Sequence, residues 1–66
     1  MIVYEIMAEM GSDYYATLKE AREALPTYGS PAPTIERLTL AKLPPQKLAV
    51  RLLNHEGFVA KRGPVA

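Results

Sequence analysis

Cysteine and tryptophan are absent from this chain, and histidine occurs once, at His55. Without thiols there is neither a disulfide framework nor a thiolate zinc site. A secreted domain of 66 residues ordinarily relies on disulfides, so a reducing cytoplasm is the expected location. The catalytic inventory is equally thin. Ser12 and Ser30 lie outside any nucleophile-elbow pattern, and His55 and Glu56 are sequence neighbours that diverge by about 100° on a helix. Gly11, Gly29, Gly57 and Gly63 are isolated, so no phosphate-cradling loop is spelled out. Long apolar runs are missing too. Glu5 interrupts the apolar start Ile2–Met7, and nothing approaches the roughly 18 residues of a membrane span. No enzymatic activity, cofactor, metal site or membrane association is expected on these grounds.

The charges that are present are sorted. Up to Glu36 there are six acids (Glu5, Glu9, Asp13, Glu20, Glu23, Glu36) against two bases, Lys19 and Arg22. Beyond it stand six bases (Arg37, Lys42, Lys47, Arg51, Lys61, Arg62) against Glu56 alone. The net charge of +1 hides this asymmetry. Fields and partner choice follow the distribution rather than the sum. All four tyrosines fall in the acidic part, so the basic part lacks the interleaved aromatics of a nucleic-acid platform.

Local patterns define the elements. Residues 2–9 alternate as a strand, with Ile2, Tyr4, Ile6 and Ala8 on one face. Gly11-Ser12-Asp13 has turn chemistry, and Tyr14 to Ala16 reads as the return strand of a hairpin. Thr17 and Glu20 have capping-box spacing, which opens a helix over Leu18–Leu25 that Pro26 ends. Residues 26–34 carry three prolines and form a stiff crossover. Residues 35–43 read as a second long strand. Pro44-Pro45 starts a second helix running to about Asn54 or His55, with Gly57 placed to end it in a left-handed conformation. Phe58 to Ala60 reads as a short last strand, and residues 61–66 as a frayed tail. The expectation is one small α+β domain over 1–66. Its sheet is mostly antiparallel or mixed, built from hairpin, helix, strand, helix and short strand, with two helices packed on one face. A βαβαβ arrangement without the hairpin is the alternative.

Two surfaces stand out. Tyr14 and Tyr15 with Glu20 and Glu23 offer aromatic area steered by acids. Lys47, Arg51 and His55, at i, i+4 and i+8, stack on the wet side of the second helix. Val50 and Leu53 widen that helix's apolar arc beyond what one sheet covers, which points to self-association. A domain this small also has a thin core, which favours a homodimer. The functional expectation is a non-enzymatic protein-binding module that docks on a larger protein or complex. By analogy of size class it is an adaptor or inhibitor, including the phage or mobile-element kind that blocks a host defence complex. The alternatives are a nucleic-acid-binding protein using the basic part and a structural, self-associating subunit.

Overall fold

A computed structural model describes residues 1–65. Four strands, β1 (Ile2–Ala8), β2 (Gly11–Tyr15), β3 (Ile35–Leu40) and β4 (Val59–Pro64), form one sheet in the order β2-β1-β3-β4. Every neighbouring pair is antiparallel. Helix α1 (Leu18–Ala24) and a 3-10 turn (Leu25–Tyr28) link β2 to β3. Helix α2 (Pro45–Leu53) links β3 to β4. The protein is therefore a small α+β domain with a four-stranded antiparallel sheet and two helices, as the sequence pattern predicts.

The β1–β2 hairpin turns two residues earlier than expected. Ala8 pairs with Gly11, so Glu9 and Met10 form the loop, while Gly11-Ser12-Asp13 belongs to β2. Gly11 supplies a φ of 133°, the conformation an L side chain resists, and this lets so short a loop close. Thr17 caps α1: its Oγ1 accepts from the Glu20 amide at 3.1 Å, one half of the capping box. Pro26 does not stop the chain's coiling. It tightens the end of α1 into the 3-10 turn, where its missing N–H costs nothing.

The first face of the sheet carries Tyr4, Ile6, Tyr15 and Ile35, over which α1 lays Leu18 and Ala21. Ile6 and Ala21 are fully buried there. The Tyr15 and Tyr28 hydroxyls lie 2.9 Å apart, and Tyr28 donates to Asp13 Oδ2 at 2.6 Å. The crossover is thereby tied back to the hairpin. The hydrogen bond to the Asp13 carboxylate, and then the one to Tyr15, push the Tyr28 phenol well above its ordinary pKa.

The two helices pack differently. α1 covers the first face. No residue of α2 is buried, and Leu52 turns toward Val3, Leu38 and Leu40, which lie on the second face. Rather than sharing one face, the helices lie toward opposite sides of the sheet: α1 packs on the first, while α2 stands off the second and meets it through Leu52. Leu38 is nonetheless only 2% exposed, a second small burial site separate from the first. α2 is also shorter than expected. It ends at Leu53, and the left-handed residue is His55, with φ 56°, not Gly57. Of the tail expected to fray at 61–66, residues 61–65 are ordered instead. Lys61–Pro64 continue β4 along β3, and the Val65 amide donates to the Ile35 carbonyl at 2.9 Å. A polar strand gains its order from ladder hydrogen bonds that sequence hydrophobicity does not report. Ala66 lies outside the described residues.

Candidate functional site

The second face holds a groove of about 470 Å³. Its floor is built by strand register. Val3 of β1 pairs with Leu38 of β3, and Leu40 follows two residues on, so three apolar side chains share one patch. Leu52 of α2 and Phe58, at the start of the return to β4, form one wall. Tyr14 of β2 forms the other, 61% exposed. α2 then continues this apolar surface outward. At 100° per residue, Leu48 and Leu52 point toward the sheet side, while Ala49, Val50 and Leu53 form a second stripe turned away from it. Val50 is 51% exposed and Leu53 78%.

One end of the groove is charged. Register sets Glu5 of β1 directly opposite both Tyr14 and Glu36. Two carboxylates side by side on adjacent strands repel. Arg62, reaching over from β4, resolves the conflict: its Nη1 lies 3.3 Å from Glu5 Oε1 and 3.6 Å from Glu36 Oε1. Tyr14 donates to Glu5 Oε2 at 3.1 Å. The Glu5 side chain is 5% exposed. Its Oε1 faces Arg62 at ion-pair distance yet outside hydrogen-bond geometry, so this buried oxygen has a counter-charge but no donor. Partial burial first, and the Glu5 carboxylate second, raise the Tyr14 phenol above its ordinary pKa.

The residues singled out from sequence are distributed over several surfaces. Tyr14 is on the groove, whereas Tyr15, its neighbour on a strand, points to the opposite face and packs against the core. Glu20 and Glu23 are exposed on α1, on the Tyr15 side of the sheet and away from Tyr14. The expected four-residue surface is therefore split by the sheet itself. Lys47 and Arg51 remain neighbours on α2, beside Val50 and Glu56. Arg51 also donates to the Gly57 carbonyl at 3.0 Å, which fastens the turn after the helix. His55 leaves the row, because its backbone is already left-handed beyond the helix end. Val50 and Leu53 stand exposed on α2, as their spacing implies.

The charge sorting survives folding. The sheet order puts β2 and β1 on one side and β3 and β4 on the other. Residues 1–34 carry five acids and two bases, and residues 35–65 two acids and six bases. Arg62 is the point where the two halves interlock. On the first face, beyond the reach of α1, Arg37 and Lys61 flank Thr39 in a shallow recess. Val3, Leu38, Leu40, Phe58, Glu5 and Arg62 were not singled out from sequence. Alternation showed that Leu38 and Leu40 share a face, but only the β1–β3 pairing brings Val3 and Glu5 to them.

Among the described residues, no cluster of three or more His, Asp or Glu side chains is arranged to hold a metal ion. No helix among them is long and apolar enough to cross a membrane. No protein-family model, no curated protein and no solved structure matches the chain.

Proposed function

We propose that this protein is a non-enzymatic protein-binding module that docks through the groove and the outer stripe of α2. One observation carries the reading: an apolar surface running from Leu52, at the groove, to Val50 and Leu53 on the outer stripe of α2 is left open to solvent in the isolated chain. Contiguous apolar area of this kind, rimmed by charge, is characteristic of protein-binding surfaces. Tyr14 and Leu53 act as anchors by buried area, while Lys47 and Arg51 at the rim steer approach. An adaptor or inhibitor of a larger complex, of the phage or mobile-element type, is the biological form of this reading, and a cytoplasmic setting suits a chain without cysteine. A photo-crosslinking residue placed at Leu53 tests it. In an extract of the native host, it is expected to join a polypeptide, while the same residue at Glu23 does not. Failure of the Leu53 probe to capture any polypeptide overturns the reading.

A second reading rests on Arg37 and Lys61. These bases stand exposed on an open part of the first face with Thr39 between them, as in a sheet that contacts phosphates. Nucleic-acid binding there is expected to weaken steeply with salt. Absence of DNA or RNA binding at low ionic strength removes it.

A further inference from the structure

We infer that the occupant of the groove is a second copy of this chain, the α2 stripe of each protomer lying in the groove of the other about a two-fold axis. The inference rests on the docking surface just proposed and names its partner. The first support is area. A folded monomer of 7.3 kDa is expected to expose ~4,200 Å². This chain exposes 5152 Å². The surplus of about 1,000 Å² is close to the ~800 Å² that each partner of a standard interface buries. Shape agrees: the radius of gyration is 13.0 Å, against ~11 Å for a compact chain of this length. Among the described residues, only Ile6, Ala21, Ile35 and Leu38 are buried hydrophobic residues. Such a core leaves little stability margin, and association supplies apolar burial that one chain lacks.

Charge leaves the pairing open: the chain as a whole carries only +1, so two copies meet without strong overall repulsion. In the pair, Leu53 enters the partner's groove beside Leu52 and Phe58, with Val50 at its edge. The Arg37–Lys61 recess of each copy stays outside.

Sedimentation equilibrium of the full chain, run to concentrations on the order of 100 µM, tests the inference. The expected mass is twice that of the chain, and Leu53→Glu is expected to bring it to the monomer while keeping the far-UV circular dichroism. Leu53 is mostly exposed, so this change should not unfold the chain. Where it does, Val50→Lys serves in its place. A monomeric wild type overturns the inference, and so does a Leu53→Glu variant that stays dimeric. The crosslink at Leu53 separates the two ideas. Capture of a different polypeptide, with a monomeric wild type, sinks the second copy but leaves the docking surface. Capture of nothing sinks both.

Discussion

Replacing Arg62 by leucine keeps the bulk of the side chain over the groove and removes its charge. The Glu5 carboxylate is then 5% exposed with no cation near it, and Glu36 faces it across the β1–β3 pair. Breaking a fully buried ion pair by deleting one partner costs about 3–5 kcal/mol. Arg62 is 47% exposed, so water already screens part of the interaction, and ~2 kcal/mol is the expected loss. A domain of this size commands only ~3–5 kcal/mol in total. The variant should therefore lose roughly half of its stability, which corresponds to a fall of about 8–16 °C in Tm at ~4–8 °C per kcal/mol. Urea and thermal unfolding followed by circular dichroism read this directly. The double variant Glu5→Leu/Arg62→Leu is expected to recover most of the loss, since removing both charges leaves no orphan. The cycle closes with a coupling of at least ~1 kcal/mol. A loss below ~0.5 kcal/mol, the scale of an ordinary surface pair, would refute the reasoning and reduce Arg62 to a solvated side chain.

Thr17→Ala removes the hydroxyl that receives the Glu20 amide, and about 1 kcal/mol of stability should go with it, measured by urea unfolding. Alkaline titration followed by tyrosinate absorbance should show Tyr28 and Tyr14 ionising later than an ordinary phenol. The folded-state pKa of Tyr28 is raised, so its hydrogen-bond chain contributes fully below about pH 10, where unfolded tyrosine is protonated, and that contribution is lost as pH climbs through the folded value. Tyr28→Phe should therefore flatten the fall of stability above pH 10, and an unchanged slope would show that the Asp13 contact is not formed in solution.

The elements legible in the sequence are those whose signals are local. Thr17 and Glu20 announce a helix start by chemistry acting over three residues, and the cap is there. The alternation through Tyr4 and Ile6 announces a strand, and Ile6 is fully buried. Val50 and Leu53 show an excess of apolar width by helical spacing alone, and both stand exposed. What was illegible depends on pairing between distant segments. Tyr14 and Tyr15 look like one surface because they are adjacent, yet a strand sends neighbours to opposite faces, and β2 includes both. Arg62 reads as part of a loose tail until β3 is known to offer β4 its hydrogen bonds. Ile35 shares a side with Arg37 and Thr39, a stretch that looks polar, and only α1 arriving from above makes its own position interior. The groove follows the same logic, because its floor joins residues from β1 and β3 that no local pattern connects.

The outer margins of the sheet constrain how molecules of this protein can meet. Strand β4 lies on one margin and carries Lys61, Arg62 and Pro64, and β2, with Gly11 and Asp13, lies on the other. Charge, proline and glycine are the features that discourage a foreign strand from annealing to an open ladder. Endless lateral growth into a ribbon or fibril is thereby disfavoured, and association is channelled into closed, finite contacts between broad surfaces. A chain that keeps so much oily area in water gains from having its borders shut.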